Sequence, residues 1–181
     1  LTRVNDQGEL VSKYSNAKII VNDVEWYEMR NPNNRTRGTY LRENWEPIQD
    51  QVTTFSEYIN VIPEIQMIHT SGHSNGHSII LLKQGKDTMI HMGDLMLSHV
   101  HRNPLWVPAV DDYPMKSILA KEKWLRQAFE NHYKFFFYHD QFFAVVEFDK
   151  EGKELVDYVL RSRPPLIPFT DEQDRKPDFL G

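Results

Sequence analysis

The order of apolar runs along these 181 residues predicts a mixed α/β fold, with helices packed outside one or more largely buried sheets. Three observations carry that expectation. Short continuous apolar runs, Ile65–Ile68 and Ile79–Leu82 among them, are bounded by turn residues and suit buried strands. One long stretch, Pro114–His132, repeats its apolar residues at helical spacing. Dense aromatic runs at Lys134–Tyr138 and Phe142–Phe148 then return the chain to strand. A hydrophobic fraction of 40% over this length suffices for one domain, residues 1–181, with a sizeable core.

Taken in order, Ala17–Val21 reads as a strand, and Asn22 and Asp23 offer an N-cap for a short helix over Val24–Arg30. Asn31–Asn34, with Pro32, breaks it. Thr36–Trp45 is expected to be helical, with Tyr40, Leu41 and Trp45 on one face and Pro47 beyond its end. Ile65–His69 and Ser78–Gln84 are strands, residues 85–87 a turn, and Thr88–Met92 a third strand that runs straight into Gly93–Asp94. Ser98–Asp112 is a long connection with two prolines, of a size that suits a functional loop. In the helix Pro114–His132, the apolar face is Ile118, Leu119, Leu125, Ala128 and Phe129. Lys116, Lys121, Glu122 and Arg126 form the solvated face, and Asp111 or Asp112 is the cap. Residues 150–153 turn Phe142–Phe148 into a partner strand, Leu155–Leu160, and the proline-bearing tail from Arg163 reads as extended.

Charge and composition exclude several classes. A net charge of −5 with scattered basic residues repels a phosphate backbone, so nucleic acid is set aside as a partner. No apolar run approaches the roughly 20 residues that cross a bilayer, which sets a membrane aside. With no cysteine there are no disulfides, thiolate metal sites or cysteine nucleophiles, and any metal must be held by imidazole and carboxylate. The opening LTRVNDQGEL has no initiator Met and no signal segment, as in a processed product or a piece of something longer. A small-molecule substrate, a cytoplasmic location and a homodimer are the matching expectations.

The chemistry is expected around His69–Ser78, HTSGHSNGHS, which holds His69, His73, His77 and two glycines between two strands. A histidine beside a tight glycine turn at a strand end can present a ring nitrogen to a metal; a glycine-rich hairpin with incidental polar residues is the plain alternative. Asp94 follows the strand Thr88–Met92 through Gly93, and His139 follows Lys134–Tyr138. If these strands share a layer and a direction, His73, Asp94 and His139 converge at one sheet edge. Imidazole and carboxylate suit zinc, manganese, iron or cobalt, and a carboxylate can bridge two cations that activate a water for hydrolysis. His77 is either a donor that orients its loop or a structural histidine. Trp106, Val107 and Tyr113 either line an apolar pocket or cover the sheet edge.

These motifs resemble a known family. TSGHSNGH at Thr70–His77 is similar to the TPGHTPGH segment of the metallo-β-lactamase superfamily, GDLM at Gly93–Met96 to its strand-end Gly-Asp, and YHD at Tyr138–Asp140 to its late histidine. The resemblance implies metal ligands His73, Asp94 and His139, with Asp94 the bridging, catalytic carboxylate, and the C-terminal part of an αβ/βα sandwich. It implies two divalent metal ions, zinc first, in the complete enzyme. The nearer resemblance, through Asn31–Trp45 and His101–Pro114, is to the quorum-quenching N-acyl-homoserine lactonases, which open lactone rings with metal-bound hydroxide. The signature H-x-H-x-D-H is missing, and Leu97 stands where some lactonases carry a tyrosine. The expectation is therefore a C-terminal portion that binds metal weakly and is inactive alone, with a degenerate homologue, a non-catalytic binding domain, or a hydrolase of another ester or β-lactam as the alternatives.

Overall fold

The computed structural model describes residues 1–162; the expected extended tail from Arg163 lies outside the described residues. Two small strands, β1 (Thr2–Val4) and β2 (Leu10–Ser12), form an antiparallel hairpin. A second small sheet pairs β3 (Ile19–Asn22) in parallel with β4 (Val52–Phe55). Between them lie α1 (Asp23–Arg30), α2 (Arg42–Trp45) and two 3-10 turns. Asn22 caps α1 as expected, its side chain accepting the Val24 amide at 3.0 Å.

The expected helix over Thr36–Trp45 is interrupted. Only Thr36–Gly38, as a 3-10 turn, and the short α2 are helical, and Leu41 between them is extended (φ −72°, ψ 134°). The Asn33 carboxamide draws the Arg35 and Thr36 amides into a local turn, an arrangement that competes with a continuous helix.

The main sheet has seven strands: β5 (Tyr58–Ile62), β6 (Ile65–His69), β7 (Ser78–Gln84), β8 (Asp87–His91), β9 (Lys134–Phe136), β10 (Phe143–Phe148) and β11 (Leu155–Leu160). They lie side by side in the reverse of chain order, from β11 to β5. Every neighbouring pair is antiparallel except β8 and β9, which are parallel and joined through α3 (Pro114–Glu130). Parallel neighbours need a crossover connection, and α3 with the loop before it supplies one. The core lies on one face of this sheet, where Ile79, Leu81, Ile90, Phe135, Val146 and Phe148 meet Trp124, Leu125 and Ala128 of α3. Phe129, Phe135 and Phe148 close a triangle of rings with centroids 5.6–5.8 Å apart.

Helix α3 departs from its expected faces. Ser117, Lys121, Trp124, Leu125 and Ala128 are buried, whereas Leu119 is 63% exposed. Lys121, expected in solvent, is wholly buried, and its ammonium donates to the carbonyls of Asn103 (2.8 Å) and Trp106 (2.7 Å). A lysine is tolerated inside when its head finds acceptors there, and this one ties the long connection onto the helix. Neither Asp111 nor Asp112 caps α3; the N-cap is Tyr113, without a side-chain bond.

Candidate metal centre

Strand direction and register decide where the chemistry meets. Met89 pairs with Lys134 and Ile90 with Phe135 across the parallel β8–β9 ladder. Asp94 and His139 follow Ile90 and Phe135 at the same spacing, so both leave the sheet at one edge and one level. Strand β6 is antiparallel to β7, which is antiparallel to β8, so β6 ends at that same edge and delivers the His73 loop. The three expected residues come together: His73 Nε2 lies 3.2 Å from Asp94 Oδ2, and His139 Nε2 lies 3.5 Å from Asp94 Oδ1.

Each side chain is held from behind. His73 Nδ1 donates to Asp111 Oδ1 at 2.8 Å, and Asp111, almost fully buried, also accepts from the Ser117 hydroxyl. An ionised carboxylate can only accept, so Nδ1 carries the proton and Nε2 is the nitrogen turned to Asp94. The Asp111 hydrogen bond raises the His73 pKa; partial burial opposes it and the Asp94 charge adds to it. The ring thus lies between two carboxylates, Asp111 at Nδ1 and Asp94 at Nε2, and a cation bound at Nε2 would require that nitrogen unprotonated.

The loop that carries His73 is clamped by α1. Glu25 accepts from the Ser74 hydroxyl (2.6 Å), the Gly76 amide (3.2 Å) and the Tyr40 hydroxyl (2.5 Å), and Glu28 accepts from the Asn75 carboxamide (2.9 Å). A Cβ on Gly76 would lie 2.3 Å from the Glu25 backbone nitrogen, so only glycine admits so close an approach.

On the other flank, the Tyr138 hydroxyl donates to Asp94 Oδ1, and its ring stacks on His91 at 5.1 Å and 6°. Burial, then the Asp94 bond, push the Tyr138 pKa up, so the phenol keeps its proton. Behind His139, Asp140 is buried. It accepts from the His99 amide (2.8 Å) and Nδ1 (2.6 Å) on one oxygen, and from the Phe142 and Phe143 amides (both 2.9 Å) on the other. Burial alone would raise its pKa, but the His99 and backbone bonds hold it down at about 2.

This donor set has the chemistry for a carboxylate-bridged pair of divalent cations, one imidazole to each side. It is an incomplete set, since zinc ordinarily takes three or four protein ligands. Among the described residues, no three His, Asp or Glu side chains are grouped to hold one ion. The roles of Asp111, Tyr138 and Asp140 are not legible in the sequence: Asp111 reads there as one of two possible helix caps, and Tyr138 and Asp140 only as neighbours of His139. Trp106 is 55% exposed. A cavity of about 360 Å³ lies between α3 and residues 102–104 and 150–152, lined by Arg102, Glu122, Arg126 and Phe129 among others. It includes neither the three candidate ligands nor Trp106, Val107 and Tyr113. No helix among the described residues is long and apolar enough to cross a membrane.

No protein-family model and no curated protein matches the sequence. Among solved structures, the chain is similar to a probable metal-dependent hydrolase from Staphylococcus aureus, with 37% identity, a TM-score of 0.77, and coverage of 80% of this chain and 52% of that one. It is also similar to the hydrolase AbOPH of the beta lactamase superfamily, at 21% identity and a TM-score of 0.67 over 88% of this chain and 57% of the other. A third similarity is to AidC, a dizinc quorum-quenching lactonase in complex with a product, at 17% identity and a TM-score of 0.64 over 89% and 60%. The chain spans between about half and three-fifths of the length of these proteins. The chain therefore shares the fold of these solved structures, a probable metal-dependent hydrolase and a hydrolase of the beta lactamase superfamily among them.

Proposed function

We propose that this chain supplies the strand-end half of a dinuclear centre in a metal-dependent hydrolase that opens lactone rings of the N-acyl-homoserine type. The observation that carries the reading is one carboxylate, Asp94, with an imidazole Nε2 beside each of its oxygens. His73 and His139 would each bind one cation and Asp94 both. Two divalent cations, zinc the first choice, would acidify a water held between them and polarise a carbonyl. The residues of this chain then have separate tasks. Asp111 fixes the His73 ring, Asp140 fixes the turn that presents His139, and the Tyr138 O–H, by donating to Asp94 Oδ1, orients that carboxylate. The lactone substrate is supported by the likeness to AidC and by the motif resemblance around the long connection. A cytoplasmic location and a small-molecule partner belong to the same proposal.

Three ligands for two ions leave each position short, so the proposal includes weak metal binding and no turnover by the 181 residues alone. Zinc titration followed by the imidazole 15N shifts of His73 and His139 tests the centre, with Asp94→Asn as control. Both rings should move together in the native chain, and neither in the variant. A chain extended upstream by a segment holding H-x-H-x-D-H should open N-acyl-homoserine lactones in preference to β-lactams and phosphodiesters. Imidazoles that ignore zinc, or full lactone turnover by the 181 residues alone, would overturn the reading.

A further inference from the structure

We propose that His77 is a positioning residue for Asp94, held as the neutral Nδ1–H form of imidazole so that its Nε2 accepts the Asp94 amide proton. The inference rests on the metal reading above only for its consequence; the geometry stands by itself. The Thr70 hydroxyl lies 3.1 Å from the His77 carbonyl, to which it can donate. The same hydroxyl oxygen lies 2.8 Å from His77 Nδ1, where it can accept an Nδ1–H. The Asp94 amide points at Nε2 from 3.2 Å, which requires a lone pair there and, in the neutral ring, the proton on Nδ1. An amide can only donate, so the Asp94 end sets the tautomer and the Thr70 oxygen at the other end is placed to accept from Nδ1.

The backbone is shaped to allow this contact. A Cβ on residue 93 would lie 2.5 Å from His77 Nε2, and Gly93 takes a left-handed φ of +54°. Gly93 thus provides both the turn after β8 and the room for the ring. The His77 carbonyl also receives the Thr70 and Ser71 amides at 2.8 and 3.1 Å, so the ring projects from a pinned point of the His73 loop. His77 therefore couples the two segments that carry candidate ligands. The loop that presents His73 reaches across and holds the amide of the residue that bridges. An Asp94 whose amide is so fixed turns its carboxylate between His73 and His139 with little freedom to rotate away.

The test uses the full chain, labelled with 15N. The imidazole shifts of His77 should report a protonated Nδ1 and an unprotonated Nε2, and a two-bond 15N–15N coupling should connect Nε2 to the Asp94 amide. Neither readout depends on metal. In zinc titrations, His77→Gln keeps an acceptor where Nε2 stood and should bind within about threefold of the native chain. His77→Asn reaches only the Thr70 side and should lose about tenfold or more, the range expected when a group orienting a metal ligand is removed. A proton on Nε2, absence of the coupling, or equal zinc affinity in the Gln and Asn variants would overturn the proposal. If the coupling is present and the native chain binds no zinc, the positioning contact stands and the metal reading falls.

Discussion

Replacing Asp140 with Asn tests how the His139 turn is built. The native carboxylate accepts four hydrogen bonds while buried, two from His99 and one each from the Phe142 and Phe143 amides. A carboxamide can offer an oxygen to only one of those pairs, and its NH2 must face the other. If it faces His99, the ring can change tautomer, but the buried His99 amide loses its acceptor. One stranded donor costs about 1–3 kcal/mol, and loss of charge weakens the bonds that remain, so the total is about 3–5 kcal/mol. Proton linkage gives an independent lower figure. With a folded pKa of about 2 against a usual 3.8, the ionised form contributes about 2 kcal/mol at neutral pH. The sign follows from proton counting: between those two values the unfolded chain binds more protons, so this stability is lost as pH falls from about 4 to 2. Urea unfolding at pH 7 should show the midpoint of D140N lowered by about 1.5–2.5 M for a slope near 2 kcal/mol/M. The native chain should lose stability between pH 4 and 2 more steeply than the variant. A variant within about 1 kcal/mol of native at pH 7, or one with the native acid limb, would refute the assigned role.

Three further outcomes are expected. Asp111→Asn removes the main cause of the raised His73 pKa, so that pKa should fall in an NMR titration, and zinc affinity should drop about tenfold as the ring loses its anchor. Gly76→Ala drives a Cβ into the α1 backbone at Glu25 and should destabilise by about 1–3 kcal/mol, with faster amide exchange in α1 and residues 74–76. Burial brings the Lys121 pKa down to about 8 from 10.5, so the unfolded chain binds more protons between those values and stability should rise with pH. That rise should be about 2 kcal/mol from pH 7 to 9.5 in urea unfolding, and absent in Lys121→Met.

What the linear sequence determined is local. Continuous apolar runs and their flanking turns were enough to place β6, β7, β8, β10 and β11, and the Asn22 cap and Pro114 to start the two longer helices. The glycine-histidine and glycine-aspartate motifs nominated His73 and Asp94, and the histidine that follows the aromatic run 134–138 nominated His139. The strands β1, β2, β4 and β5 went unread because three are only three or four residues long and β5, though apolar in sequence, is interrupted by Asn60 and lies largely exposed at the end of the sheet.

Tertiary structure decided everything that depends on distance in space. Whether β6, β8 and β9 end at one edge is a property of pairing direction, and only the parallel β8–β9 register sets Asp94 level with His139. Asp111 lies 38 residues from His73 and Asp140 lies 41 from His99, separations at which no local spacing rule operates. Lys121 reads as a solvated charge in any helical pattern; only the loop folded over α3, offering two carbonyls, makes its burial tolerable. The sequence names the groups that could grip a cation, and the fold alone supplies the partners that fix where their lone pairs point.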